Sequence, residues 1–186
     1  MLIGYAMCGS FCTFSRSFAV MERLAAAHTV VPILSETAAA AATRFGSGAD
    51  FIARAEAICG RPVIRTVVDA EPLGPAMPLD VLIAAPMTGN TLAKLAHGIT
   101  DSAVTMACKA HLRADRPLLI ALASNDAMSA NLANIGAMLL RKGVYFVPMK
   151  QDDPAEKPHS LVAAFERIPE ALDALSSAKQ LRPLFL

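Results

Sequence analysis

Small polar residues cluster where predicted strands give way to predicted helices, and the first cluster follows the apolar run at residues 2–7. It reads Cys8-Gly9-Ser10-Phe11-Cys12-Thr13. Glycine lets a backbone approach a ligand closely, the Ser10 hydroxyl adds a hydrogen-bonding group, and the N–H groups of a following helix favour an anion. The segment therefore predicts a phosphate site, although a plain tight turn with a Thr N-cap explains the same residues.

Two more polar clusters follow the apolar runs at residues 29–34 and 118–123. They are Ser35 and Thr37 after the first run, and Ser124-Asn125-Asp126-Ala127-Met128 after the second. Because the carboxyl ends of parallel strands meet at one edge of a sheet, these side chains could reach the same ligand. A helix N-cap is the alternative after the first run, and the second cluster is expected to open a helix.

The segment Pro86-Met87-Thr88-Gly89-Asn90-Thr91 follows a near-continuous apolar run at residues 79–85. We expect its proline to end the strand and its glycine to allow a close approach. Its hydroxyl and amide groups suit the polar edges of a planar heterocycle. A capped helix start, with Thr88 or Asn90 as the cap, is the alternative.

Three charged residues are candidates for a role toward substrate. Arg44 lies in the compact loop Thr43-Arg44-Phe45-Gly46, and a guanidinium group can bind a carboxylate through two hydrogen bonds. Asp152 and Asp153 precede a proline after the last predicted strand, where they could serve proton transfer or a contact between subunits. A surface position is the alternative for each of the three residues.

Hydrophobic periodicity predicts the elements that must position these residues. Short apolar runs alternate with segments of helical spacing, which indicates an α/β protein with a parallel sheet flanked by helices on both faces. We expect a single Rossmann-like, doubly wound domain over residues 1–186. The predicted strands are residues 2–7, 29–34, 63–68, 79–85, 118–123 and 144–147, and the best-defined predicted helices are residues 48–59, 102–112, 128–139 and 161–175.

Composition excludes several classes of function. The chain has 186 residues with 17 Lys and Arg against 16 Asp and Glu, which argues against binding nucleic acid by bulk charge. No apolar run reaches the length of about 20 residues that a bilayer span needs, so no membrane role is expected. Four cysteines without a zinc-binding spacing predict no metal site and a reducing, cytoplasmic compartment.

The ordered motifs resemble a known superfamily, that of FMN-dependent cysteine decarboxylases and flavin prenyltransferases. The likeness lies in the Gly9-Ser10 turn, in Pro86-Met87-Thr88-Gly89-Asn90-Thr91 and in Gly98-Ile99-Thr100-Asp101. It implies a flavoprotein fold with bound FMN, in an assembly of several copies. Carried over by position, it implies FMN contacts for the following residues: Gly9 and Ser10 (phosphate), Ser35 and Thr37 (helpers), Pro86, Thr88, Asn90 and Thr91 (isoalloxazine), and Asp101 and Ser102 (ribityl chain or ring edge).

A narrower set of motifs resembles the B-subunit family of dipicolinate synthases. This family implies a cyclic dicarboxylate substrate from the lysine pathway, aromatised to dipicolinate in the mother cell of a sporulating bacterium. It also implies that the partner is the dehydrogenase-like A subunit of the same enzyme. By position, Ser124, Asn125, Asp126 and Met128 occupy the place of the substrate-clamp segment of the related decarboxylases. The likeness rests on residues 9–13, 43–46, 70–75, 85–90, 100–102, 124–127 and 151–154.

Departures from these patterns keep other functions open. No histidine lies between His28 and His97, so the catalytic histidine of the decarboxylases is missing, and Phe11 stands where the B subunits often carry histidine. The first hypothesis is a flavin-dependent oxidoreductase subunit, with the protein orienting FMN and substrate. The alternatives are a decarboxylase of the same superfamily and a non-catalytic partner of the A subunit.

Overall fold

The computed structural model describes residues 1–74 and 76–186. Within these residues, seven strands form one mostly parallel sheet flanked by helices. They are β1 (Leu2–Met7), β2 (Thr29–Leu34), β5 (Val81–Met87), β6 (Leu118–Ser124), β7 (Val144–Phe146), β8 (Met149–Lys150) and β9 (Leu161–Ala163). Strands β2, β1, β5, β6 and β7 are parallel neighbours in that order, and β9 and β8 continue from β6 in the antiparallel sense.

Amphipathic helices and one small hairpin connect the strands. The hairpin pairs β3 (Ala42–Thr43) with β4 (Gly46–Ser47) outside the main sheet. Short 3-10 turns cover Phe11–Thr13 and Phe165–Arg167. The α-helices are α1 (Phe14–Ala25), α2 (Glu36–Ala40), α3 (Gly48–Cys59), α4 (Val67–Ala70), α5 (Gly89–Ala96), α6 (Ala103–Leu112), α7 (Leu132–Leu139) and α8 (Ile168–Leu175).

The central strands match the sequence prediction because both of their faces are covered. Every residue of β5 is buried, which explains its near-continuous apolar run. The predicted bounds of β1, β2 and α3 are confirmed residue by residue. Helix α3 ends at Gly60, whose φ of 62° is the left-handed conformation that glycine adopts readily.

The predicted strand at residues 63–68 is wrong. Only Ile64 pairs there, through an isolated bridge to Ile33 in β2. Thr66 caps a short helix instead, because its hydroxyl oxygen accepts a hydrogen bond from the N–H of Asp69 at 3.1 Å. A local cap therefore overrides the β-branched composition of this segment.

The prediction that Pro86 ends its strand is also wrong. Strand β5 runs on to Met87, and its pairing with β6 shifts register between Ala84 and Met87. A proline fits at such an irregularity, where no ladder hydrogen bond needs its missing N–H. The Pro86 carbonyl instead accepts a hydrogen bond from the N–H of Cys8 at 2.9 Å.

Two predicted helices begin later than the periodicity indicates. The helix expected at residues 128–139 starts at Leu132, after a turn, and ends at Leu139, before Gly143. The helix expected at residues 161–175 is a strand followed by α8. A proline within a helical pattern predicts a break, but Pro169 lies in the first turn of α8, where its missing N–H needs no partner. The prolines and the glycine of Pro72-Leu73-Gly74-Pro75 predict irregular structure; residues 71–74 form a turn, and Pro75 lies outside the described residues.

A buried hydrogen-bond network joins α1 to the sheet. The hydroxyl of Ser17, which is fully buried, donates to the carbonyl of Ala85 at 2.5 Å. The phenol of Tyr5 donates to the carbonyl of Ser17 at 3.0 Å. Burial raises the pKa of Tyr5 well above its usual value, so this phenol stays protonated.

Other parts of the chain cover the edge strands of the sheet. Ile64 exchanges backbone hydrogen bonds with β2, and residues 184–186 do the same with Met149 of β8. Along β7, the amide side chain of Gln180 accepts from the N–H of Phe146 at 2.8 Å and donates to its carbonyl at 2.7 Å. Within the described residues, no helix has the length and apolar character needed to cross a bilayer.

We expect His111 to make stability depend on pH. This side chain is fully buried, its Nε2 atom lies 2.9 Å from the carbonyl of Pro117, and Nδ1 has no partner among the described residues. Burial lowers its pKa below the value of about 6.5 expected in the unfolded chain, so the unfolded state binds the proton first as pH falls. The free energy of unfolding should therefore fall below about pH 6.5, by at most about 1.4 kcal/mol per pH unit.

Urea denaturation from pH 7.5 to 5 measures this slope. The variant His111→Gln keeps a side-chain amide that can donate to Pro117 and removes the titration, so its slope should be shallower. His97→Gln at an exposed histidine is the matched control and should keep the wild-type slope. Equal slopes for wild type and His111→Gln would contradict the assignment.

Candidate functional site

A cleft of about 610 Å³ lies at the carboxyl ends of strands β1, β5 and β6. Its volume falls within the range of about 300–1,000 Å³ that small-molecule sites occupy. Four pieces of the predicted sites form most of its wall: the turn after β1, the start of α5, the end of β6 and the tip of the β3–β4 hairpin. The lining residues are Gly9, Ser10, Phe11, Cys12, Thr13, Arg44, Phe45, Thr88, Gly89, Asn90, Ala123, Ser124, Asn125, Asp126, Asp152, Lys157 and Val162.

The turn after β1 presents a hydroxyl group to this cleft. The N–H of Ser10 donates to the carbonyl of Cys8 at 2.7 Å, and the hydroxyl of Thr13 donates to the carbonyl of Ser10 at 2.8 Å. Among the described residues, the Ser10 hydroxyl has a single contact, 4.0 Å from Sγ of Cys12, which leaves it available to a ligand. Thr13 is the N-cap residue of α1 by position, but its side chain makes no cap hydrogen bond.

The start of α5 combines both interpretations of its sequence. Thr88 is the N-cap of α5, because its hydroxyl oxygen accepts from the N–H of Thr91 at 3.2 Å. The Thr88 and Thr91 hydroxyl oxygens also lie 3.0 Å apart. Asn90 lines the cleft, whereas Pro86 and Thr91 are buried behind it.

Gly89 is approached closely by protein side chains. A Cβ atom placed on Gly89 would stand 2.5 Å from Nδ2 of Asn131 and 2.9 Å from Oδ1 of Asp126, and it would also overlap the hydroxyl of Ser124. This position therefore requires glycine for packing of the polar cluster at the end of β6.

The polar cluster at the end of β6 holds an ionised carboxylate. The Ser124 hydroxyl donates to Asp126, and this hydrogen bond keeps the pKa of Asp126 below its usual range. Ser124, Asn125 and Asp126 all line the cleft. Met128 does not line it, and its N–H donates to the carbonyl of His159 at 2.9 Å.

Ser35 and Thr37 lie behind the turn after β1 rather than in the cleft wall. The N–H of Ser35 donates to the carbonyl of Met7 at 3.0 Å, and its hydroxyl caps α2 through the N–H of Ala38 at 3.2 Å. A Cβ placed on Gly9 would stand 3.6 Å from Cγ2 of Thr37, so Thr37 backs the glycine. The N-cap interpretation of Ser35 is confirmed.

Asp101 and Ser102 are not brought to the cleft. Asp101 pairs with Lys94, with 2.6 Å between Oδ2 and Nζ. Ser102 forms a capping box with Thr105 at the start of α6. Their proposed contacts to a cofactor rest on resemblance alone and remain predictions.

Of the three charged candidates, Arg44 and Asp152 line the cleft and Asp153 does not. Arg44 lines the cleft with its guanidinium carbon 4.9 Å from the ring centroid of Phe45. Asp152 also lines it and accepts hydrogen bonds from the Ser160 hydroxyl at 2.7 Å and from Lys157 at 3.1 Å. The carboxylate of Asp153 accepts a hydrogen bond from the N–H of Glu156 at 3.1 Å.

The partners of Asp152 decide its charge. The Ser160 hydroxyl, followed by Lys157, keeps the pKa of Asp152 below its usual range, and Asp152 raises the pKa of Lys157 in return. At neutral pH both groups are charged, which makes Asp152 a poor proton acceptor. Sequence reasoning missed Lys157, whose one signal was its place in the same proline-bounded loop.

Two cysteines stand at this edge of the sheet. Cys8 is buried, and burial raises the pKa of its thiol to about 11 despite hydrogen bonding with Thr91. It is therefore a neutral packing residue. Cys12 is exposed at the cleft.

A parallel sheet with a polar cleft beyond its strand ends is the arrangement of Rossmann-like proteins. The chain belongs to the Flavoprotein family, whose pattern matches residues 2–174. The B subunit of dipicolinate synthase from Bacillus subtilis (strain 168) is 38% identical over 185 residues, which are 99% of this chain and 92% of that protein. The crystal structure of the dipicolinate synthase B subunit from Bacillus halodurans C has a TM-score of 0.91 at 38% identity, and the match covers 100% of this chain and 95% of that one.

A more distant solved structure shares the fold. The FMN-dependent cysteine decarboxylase SpaF has a TM-score of 0.65 at 22% identity, and the match covers 96% of this chain and 94% of that one. The flavoprotein fold expected from the motifs is therefore confirmed.

We expect alanine substitution at two glycines to have opposite effects. Gly89→Ala places a methyl group against Ser124, Asp126 and Asn131, and overpacking of this kind costs about 1–3 kcal/mol of unfolding free energy. Gly136→Ala, inside α7, meets nothing within 4 Å and should stabilise by up to about 1 kcal/mol. Urea denaturation of both variants measures the pair, and a Gly89→Ala protein as stable as wild type would contradict the tight packing at this position.

Proposed function

We propose that this chain is the FMN-binding B subunit of a dipicolinate synthase. The observation that carries the proposal is its 38% identity to the Bacillus subtilis B subunit over 99% of the chain. The proposed substrate is a cyclic dicarboxylate of the dihydrodipicolinate type, and the proposed partner is the dehydrogenase-like A subunit of the enzyme. The proposed setting is the cytoplasm of the mother cell during sporulation, with the chain acting as one domain in a homo-oligomer.

The cleft suits FMN by the chemistry of its hydrogen-bonding groups. A phosphate needs hydrogen-bond donors. The Ser10 hydroxyl has no close partner within residues 1–74 and 76–186, and Gly9 brings backbone to the surface without a side chain. The isoalloxazine ring needs donors and acceptors at its edges, which the Asn90 amide and the hydroxyl of Ser124 can supply. Gly9 and Ser10 would hold the phosphate, and Thr88 and Asn90 would border the ring.

When bound, FMN would supply a two-electron acceptor, which the aromatisation of a dihydropyridine requires because that reaction releases two electrons and two protons. The residues of this chain bind and orient. Arg44 offers a guanidinium group to one carboxylate of the substrate, whereas Lys157 is paired with Asp152, which the buried Ser160 holds in place. The carboxylates of Asp126 and Asp152 stay ionised, so neither is assigned a proton transfer.

We expect the purified chain to bind FMN through Ser10. Ser10→Ala should raise the dissociation constant for FMN roughly tenfold or more, because a hydrogen bond to a charged group is lost. Ser177→Ala, at an exposed serine near the end of the sequence, is the matched control and should bind as wild type does. Titration of FMN fluorescence measures all three proteins, and equal constants would remove Ser10 from the phosphate site.

Reduction of the bound flavin distinguishes the three candidate functions. The FMN-loaded chain is mixed with the cyclic precursor under anaerobic conditions, once in the presence of the A subunit and once in its absence. The visible absorbance of the oxidised flavin is then followed over time. Loss of absorbance with formation of dipicolinate supports the proposed reaction. Release of carbon dioxide from a cysteine-containing acid would indicate a decarboxylase. Dipicolinate formation at the full rate without this chain, by the A subunit on its own, would overturn a catalytic role for this chain.

A further inference from the structure

A second cavity adjoins the cleft and has a different character. It has a volume of about 310 Å³, and five of its ten lining residues are phenylalanines. The rings of Phe11 and Phe51 lie nearly parallel, at 23° with 5.9 Å between centroids, and Phe14 meets Phe51 edge-on at 4.7 Å. Phe11, Cys12 and Phe45 line this cavity and the cleft alike, so the two spaces are neighbours across a shared wall.

The β3–β4 hairpin places one ring and one cation at that shared wall. Its tip is Arg44-Phe45-Gly46, and the Thr43 hydroxyl closes it by donating to the carbonyl of Gly46 at 3.0 Å. Gly46 has a φ of 135°, and a Cβ there would stand 2.9 Å from the Phe51 ring. Only glycine therefore lets the hairpin lie against Phe51. This contact brings Phe45 to the wall that the two spaces share and Arg44 to the cleft beside it.

The charges favour the hairpin side of the cleft for an anionic ligand. At the opposite side, Asp126 is an ionised carboxylate, and Lys157 is paired with Asp152. Among the described residues, Arg44 forms no ion pair. A carboxylate is therefore repelled at the end of β6 and can gain a charge-assisted, two-bond contact at Arg44.

The other charged groups of the aromatic cavity already have partners. Arg54 pairs with Glu22 at 2.9 Å and lies over the Phe18 ring at 4.6 Å. Asp50 accepts hydrogen bonds from the N–H and the hydroxyl of Ser47 in the cap of α3, which keep its pKa below the usual range. It is therefore an ionised carboxylate, and a bound dicarboxylate must direct its own carboxylates away from it, toward Arg44. The rest of the lining is five phenylalanines with Cys12, Ser15 and Gly46, and a flat ring packs well against phenylalanine side chains.

We infer that this aromatic cavity binds the planar ring of a cyclic dicarboxylate, with Phe45 against the ring and Arg44 on one carboxylate. The inference rests on the proposed function and assigns the ring to the hairpin side of the cleft rather than to Ser124, Asn125 and Asp126. It also gives a role to Phe11, which forms part of the aromatic wall facing the cleft. A pocket of about 310 Å³ lies at the small end of ligand sites, as a single substituted ring requires.

The test is calorimetric binding of pyridine-2,6-dicarboxylate to the full chain loaded with FMN, in buffer free of divalent cations. Arg44→Gln should weaken binding about tenfold or more, and Phe45→Leu by roughly two- to tenfold. Arg65→Gln and Phe185→Leu change an exposed arginine and an exposed phenylalanine away from the cavity and should bind as wild type does. The flexible heptanedioate, with two carboxylates and no ring, should bind more weakly than the planar ligand.

The outcomes separate this inference from the proposed function. If the flavin is bound and reduced by the precursor, yet Arg44→Gln and Phe45→Leu bind the dicarboxylate as wild type does, the cavity assignment is overturned and the function stands. Weakened binding in both variants, together with ring density against Phe45 in a crystal of the complex, supports the assignment. A chain that binds neither FMN nor the dicarboxylate would overturn the proposed function itself.

Discussion

The buried hydroxyl of Ser17 fixes the position of α1 on the central strand, and the walls of the cleft depend on that contact. A hydroxyl without access to water must find a partner inside the protein, and Ser17 finds it in the carbonyl of Ala85. Tyr5 in β1 completes the network through the carbonyl of Ser17. The end of β5 and the first turns of α1 are therefore held together at Ala85, two residues before β5 ends at Met87 and the chain enters the wall of the cleft.

Backbone contacts at the strand ends carry that constraint to the site. The N–H of Cys8 donates to the carbonyl of Pro86, and the N–H of Ser35 donates to the carbonyl of Met7. These bonds set the turn after β1 between the ends of β2 and β5. The side chains of the cleft stand on rigid, buried strands, as a binding site that orients a ligand requires.

The central strands and the meeting of polar residues at their carboxyl ends could be predicted from the sequence. Buried parallel strands show as continuous apolar runs, and their carboxyl ends meet, so Gly9, Ser10, Thr88, Asn90 and Ser124 come together as expected. The strands β8 and β9 could not be predicted, because elements of two or three residues depend on tertiary pairing rather than on periodicity. Asp101 and Ser102 were expected near the cofactor from resemblance alone. In the structure they lie outside the cleft, where Asp101 pairs with Lys94 and Ser102 caps α6.

The covered edges of the sheet restrict how this chain can associate with others. Unpaired strand edges are ready templates for adding another chain, yet here Ile64 lies along β2, the Gln180 amide along β7 and the C-terminal residues along β8. A single glutamine thus takes the place of a neighbouring strand at Phe146. A second copy, or a different protein, therefore cannot extend the sheet at these positions without displacing a native contact. An association at these positions would therefore have to use the side chains of helices and loops, where shape and charge can discriminate between partners.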